Sequence, residues 1–183
     1  MNSLKHNLLD YTDDDKFDVI LMNPPYGGHE DKSIQNFFPD DLTSSETADL
    51  FMSVIMYRLK KGGRAAVILP DGFLFGTDNA KVAIKKKLFS ECNVHTIIRM
   101  PHSVFAPYTS ITTNILFFDR THPTMETWFY RLDMPEGYKN FSKTKPMKLE
   151  HFAPAVEWWD KREEITIDGF VSTFELDDAA EKC

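Results

Sequence analysis

The sequence predicts an α/β fold built on a largely parallel sheet, and three observations carry this. Two apolar runs, Val19 to Met22 and Ala65 to Leu69, lack the polar alternation of a half-exposed strand. Each run is stopped by proline, at Pro24 and at Pro70. Between them lies a segment with helical apolar spacing, so strand and helix alternate along the chain.

Lys16 to Met22 is the first strand. Residues 29–45 are polar and turn-rich and read as a loop. Thr43 to Glu46, "TSSE", is a capping-box pattern. It opens a helix whose stripe is Leu50, Phe51, Val54, Ile55 and Leu59. Lys60 and Lys61 suit the C-terminus of that helix, and Gly62-Gly63 ends it. Arg64 to Pro70 is the second strand, followed by a turn, "DGFLFG". A weaker helix covers Asn79 to Ser90. Val94 to Met100 and Ile111 to Asp119 are the third and fourth strands. No clear helix joins these two, so they are expected to run antiparallel. Residues 1–120 form the sheet domain in this reading. Residues 121–183 form a satellite of one edge strand ("ETWFYRL"), a basic loop and an amphipathic helix over 148–162. Leu149, Phe152, Val156 and Trp159 are the expected inner stripe of that helix. Of the adjacent Trp158 and Trp159, one should enter the core and the other mark a subunit contact.

Composition narrows the function. With 42% hydrophobic and 27% charged residues, the chain can bury a core. No apolar run approaches the roughly 20 residues that span a bilayer, and the N-terminus lacks a secretory pattern. The only cysteines are Cys92 and Cys183, which points to a reducing cytoplasm rather than a disulfide framework. The six histidines are scattered without metal-ligand spacing, so no metal is expected. The formal net charge is −7, unlike an autonomous nucleic-acid binder. A partner would have to supply much of any attraction to phosphate.

The motif that carries chemistry is "NPPY", Asn23 to Tyr26. It leaves a buried strand at its carboxyl end, where α/β sheets gather ligands. Asn23 and Pro24 each precede a proline, so the backbone is stiff before any ligand arrives. A stiff loop can aim the Asn23 amide oxygen and the Pro24 carbonyl at one point. Pro25 holds the turn, Tyr26 offers a stacking face, and Gly27 and Gly28 let the chain turn away. Two acceptors and a ring suit a flat heterocycle with an exocyclic amino group, such as adenine. The N6 lone pair of adenine is delocalised; accepting both N–H hydrogens would free it for attack. The base must first leave its duplex. The plain alternative is a string of turn residues that merely ends a strand.

"NPPY" after an apolar strand resembles motif IV of the S-adenosylmethionine-dependent amino-methyltransferases. "ETADLF", "GGRAAVILPDGFLFG" and "TSITTNILFF" resemble the modification subunit of type I restriction–modification systems, over about Asn2 to Trp159. The resemblance implies a Rossmann-like fold, S-adenosyl-L-methionine as cofactor and N6 methylation of adenine in DNA. It also implies a specificity subunit that reads the sequence, and a restriction subunit, as partners. The family's glycine-rich cofactor turn lies upstream of motif IV, yet the 22 residues before Asn23 contain no glycine. The chain is therefore expected to be the second half of a methyltransferase domain, an excised piece or a truncated product, with Asn23 its one candidate cofactor neighbour. Residues 18–22 would then be an apolar sheet edge, paired with another copy or shielded by the N-terminal segment.

Weaker candidates surround the motif. Asp71 and Gly72 follow the second strand and would border the site; a plain turn competes. Thr109, Ser110 and Asn114 flank the fourth strand and could approach the base, against local loop bonding. Lys139, Lys143, Lys145 and Lys148, interleaved with Phe141, could touch phosphate, against a solvated loop. Phe105 and Tyr108 read as core packing before pocket walls, and His102 as structural. Two rival functions stand: methylation of a protein glutamine amide, which poses the same lone-pair problem, and an inactive fragment that only binds partner subunits.

Overall fold

The structure is a computed structural model that describes residues 3–164; Cys183 and the acidic C-terminal stretch lie outside them. Five strands form one sheet: β1 (Phe17–Met22), β2 (Leu59–Pro70), β3 (Asn93–Arg99), β4 (Thr113–Asp119) and β5 (Trp128–Arg131). Their order is β1-β2-β4-β3-β5. β1 is parallel to β2 and β3 to β5, while β4 runs antiparallel to both of its neighbours. The expected reversal of the fourth strand is thus present, and β5 is the edge strand anticipated in "ETWFYRL".

The helices are α1 (Lys32–Gln35), α2 (Thr47–Arg58), α3 (Asp71–Phe75), α4 (Asn79–Glu91) and α5 (Ala153–Lys161). The main core joins Leu50 and Ile55 of α2 and Ile84 and Leu88 of α4 to Ile20, Val67, Leu69, Leu116 and Phe118 of the sheet. On the opposite face a smaller cluster gathers Ile98, Met100, Leu132 and Ala155 beneath α5. That second layer stops short of β1. Val19 and Leu21 are 46% and 77% exposed, and only Ile20 of the strand is buried. The uninterrupted apolar run in β1 is therefore covered on one face, not two. The N-terminal segment does not shield it. Leu4 and Leu8 enter the main core instead, and the Leu8 N–H donates to the Phe37 carbonyl.

Several boundaries differ from expectation, each for a physical reason. Residues 29–45 contain α1, whose first turn is capped by Asp31 at the N–H groups of Ser33 and Ile34. The Thr43–Glu46 capping box does not form, and Glu46 is an N-cap without a side-chain cap bond. Ser44 Oγ instead donates to the buried Asp49 carboxylate at 2.8 Å, and Lys81 draws the Glu46 side chain away. α2 stops at Arg58, and Lys60 to Gly63 already belong to β2. The last helix carbonyls do not need those lysines. Arg120 Nη1 donates to the carbonyls of Met56 and Leu59, both at 3.0 Å. "DGFLFG" is a helix, not a turn, because Phe73 drops into the core and anchors it. The helix over 148–162 begins as a 3-10 turn, Leu149–Phe152, before α5. That turn shifts the helical phase. Leu149 and Val156 face water, while Ala155 and Trp158 face inward. Trp159 is half-buried rather than free for a subunit contact. It packs edge-on against Phe117 at 4.8 Å, with the Arg162 guanidinium over its ring at 4.7 Å.

Candidate active site

Asn23 leaves the carboxyl end of β1, with Pro24 buried beneath it and its own side chain exposed. The amide does not point into the interior. Tyr26 Oη donates to Asn23 Oδ1 at 2.8 Å. Burial pushes the Tyr26 phenol above its ordinary range, against a smaller downward pull from that bond, so the hydroxyl stays a donor. A carbonyl oxygen has two acceptor positions, so Asn23 Oδ1 can still receive a second hydrogen. The Tyr26 ring is half-buried and meets Phe105 with ring centres 5.9 Å apart. An open amide therefore stands beside a pair of aromatic rings.

The loop leaving the motif is fastened to α2. Gly27 sits at φ +78°, a left-handed backbone that glycine adopts without strain. Gly28 accepts from the Thr47 N–H at 3.0 Å, and a Cβ there would lie 2.6 Å from Thr47 Oγ1. Thr47 Oγ1 donates to Glu30 Oε1 at 3.2 Å, and a bridge pairs His29 with Glu46.

A model of the N-6 DNA methylase family matches residues 1–182. This chain belongs to the N-6 DNA methylase family. It is 54% identical over 146 residues to the methylase subunit of the type I restriction enzyme EcoEI of Escherichia coli, covering 80% of this chain and 30% of that subunit. It resembles the crystal structure of a modification subunit assigned to a type I restriction enzyme of Vibrio vulnificus. That match has a TM-score of 0.86 and 46% identity, over 90% of this chain and 35% of the other. A class I S-adenosylmethionine-dependent methyltransferase assignment from Listeria monocytogenes matches with a TM-score of 0.52 and 20% identity, over 79% of this chain and 42% of the other. At that identity the likeness concerns the fold alone, and the fold is Rossmann-like. This chain spans less than a third of the length of the curated relatives it matches.

A buried cation braces the start of α2, to which the loop leaving the motif is fastened. Lys81 of α4 is 4% exposed, and its ammonium lies 2.5 Å from Glu46, 3.1 Å from Asp78 and 3.2 Å from Asp49. Burial alone would lower the Lys81 pKa, but bonds to these carboxylates raise it well above the usual lysine range. The ammonium therefore stays charged. Asp49 is fully buried, and burial lifts its carboxyl above the usual range despite Ser44 and Lys81. Lys85 adds a second brace, donating to the carbonyls of Leu74 and Gly76 at 2.8 and 2.7 Å. Neither lysine stood out in the sequence, because "KVAIKKK" reads as a solvated helix face and the Glu46 and Asp49 partners of Lys81 are remote.

Asp71 stands at the carboxyl end of β2, as expected. It holds Arg99 by two bonds, 3.0 and 2.8 Å, and accepts from Asn114 Nδ2 at 2.7 Å. Asn114 is 1% exposed, and its amide is directed to Asp71. Gly72 and Ser110 are exposed on the same rim, while Thr109 Oγ1 accepts locally from the Ile111 N–H. Tyr108 is 91% exposed rather than core, and Phe105 faces Tyr26. His102 joins Asn140 Oδ1 at 2.9 Å and the Lys139 carbonyl at 3.2 Å, which ties the basic loop to this rim. Phe141 anchors that loop from inside, and Lys139, Lys143, Lys145 and Lys148 stay in water.

Proposed function

We propose that this chain is the base-holding half of a DNA adenine-N6 methyltransferase, working as part of a type I modification subunit. The observation that carries the reading is the Asn23 amide, exposed at the end of β1 beside the Tyr26–Phe105 pair. A target adenine turned out of its duplex would stack against Tyr26, which offsets part of the unstacking cost of a few kcal/mol. Its amino group would donate one hydrogen to Asn23 Oδ1 and the other to the Pro24 carbonyl. Accepting both draws the nitrogen toward a tetrahedral shape and localises its lone pair. S-adenosylmethionine, when bound, supplies an electrophilic methyl group. Asn23 is the residue of this chain we assign to its neighbourhood. Asp71, itself held by Asn114, would shape the rim by holding Arg99, with Gly72 and Ser110 lining it.

A specificity subunit that reads the sequence, with a restriction subunit beside it, accords with the acidic charge of the chain. The relatives are methylase subunits of restriction enzymes, and no contact at the site favours a glutamine amide over adenine. The test is Asn23→Ala in the full-length protein, with radiolabelled cofactor and DNA. Methyl transfer should fall by at least about a hundredfold with an unchanged circular dichroism spectrum. Transfer retained near the parent rate would refute the role of Asn23.

A further inference from the structure

β3 and β5 are parallel, and their register places Arg99 directly beside Arg131 at the carboxyl ends of both strands. Like charges set opposite one another across a strand pair are destabilising. Each arginine is balanced by its own carboxylate. Arg99 is held by Asp71, and Arg131 by Asp133 at 2.9 Å. The second pair is open to water, with its side chains 59% and 71% exposed, so it contributes little and exchanges readily. At the carboxyl ends of the two strands opens a cleft of about 520 Å³, lined by both arginines and by His102, Thr112 and Asp133. The segment from Pro101 to Thr112 that walls the cleft also carries Phe105, which faces Tyr26. Lys139 adjoins it through the His102 contact. In a chain of net charge −7, basic groups thus gather on the rim that holds the site.

We infer that this cleft binds a phosphodiester of the DNA strand whose base enters the Tyr26 site, with Arg131 leaving Asp133 to take the phosphate. Two adjacent guanidinium forks match the oxygens of a backbone phosphate. Arg99, fixed by Asp71, supplies a placed charge, and Arg131 supplies the exchangeable one. The contact sets the position of the strand and is indifferent to sequence. It rests on the adenine reading for its choice of DNA.

The test measures binding of the full-length protein in its native assembly to a duplex over a salt series, without cofactor. Arg131→Gln should weaken binding roughly tenfold and lower the slope of log affinity against log salt by about one. Arg131→Lys should retain the slope. A neutral methylphosphonate at one position flanking the target adenine should abolish the difference between Arg131→Gln and the parent. Lys86→Gln, on the exposed side of α4, should change nothing. An unchanged slope in Arg131→Gln, an equal loss in Lys86→Gln, or a penalty that survives every methylphosphonate position would overturn the inference. So would a parent that binds no DNA. Because binding is read without methyl transfer, a normal salt slope in a protein that transfers no methyl to adenine would sink the adenine reading alone.

Discussion

At the scale of single residues, the hydroxyl of Tyr26 orients the motif itself, and the ammonium of Lys81 holds the start of the helix beside it. The bond from Tyr26 Oη holds the Asn23 amide in one orientation. Tyr26→Phe keeps the ring and loses the bond, so turnover should fall a few-fold with DNA affinity unchanged. Tyr26→Ala loses the stacking face, worth about 1–3 kcal/mol per base, and should weaken binding of the extruded base accordingly. Fluorescence of 2-aminopurine at the target position separates the two. Lys81→Met leaves Asp49 buried without its cation and should cost about 3–5 kcal/mol in urea unfolding. The pH dependence has a definite sign. A carboxyl whose folded pKa is raised favours folding while protonated, and that contribution is lost as pH rises through the folded value. The raised Lys81 value keeps its own contribution intact below the unfolded lysine value of 10.5. The deficit of Lys81→Met should therefore be smaller at pH 5 than at pH 8. Equal deficits would show that Asp49 is not the strained partner.

At the scale of elements, what the sequence disclosed depended on how local the deciding contact is. β2 was legible because a buried strand announces itself by an apolar run and a stop. The motif at Asn23 was legible because the prolines act on their own neighbours. The end of α2 was not, since Arg120 caps it from about sixty residues away. Nor was Lys81, whose partners Glu46 and Asp49 lie at the start of a different helix. The inner face of α5 was misread because a 3-10 turn precedes it and alters the phase. β1 bears its own prediction. Its outward face carries Val19 and Leu21, and we propose that it drives association of the isolated chain. Leu21→Lys should lower the sedimentation coefficient toward that of a monomer at concentrations where the parent chain associates. A monomeric parent would remove the proposal.

At the scale of the molecule, one rim of the sheet gathers the chemistry. Asn23, Asp71 and Arg99 stand at the carboxyl ends of β1, β2 and β3, and the reversed β4 brings its first residues, Thr113 and Asn114, to the same side. That grouping supports the base-holding role proposed for Asn23 and Tyr26. No G-x-G-x-x-G turn occurs in the sequence. Calorimetry with S-adenosylmethionine on this chain alone should give little or no heat of binding. Micromolar affinity would mean that Asn23 and its surroundings hold the cofactor without upstream strands. The reversal of β4 also has a practical use. The link from β4 to β5 passes around the far rim, where His122 and Pro123 are exposed. Seven residues of strand, about 20 Å, separate it from the working side. A dye or peptide tag spliced in at that bend would report on the chain from a distance, clear of the rim that holds Asn23 and Tyr26.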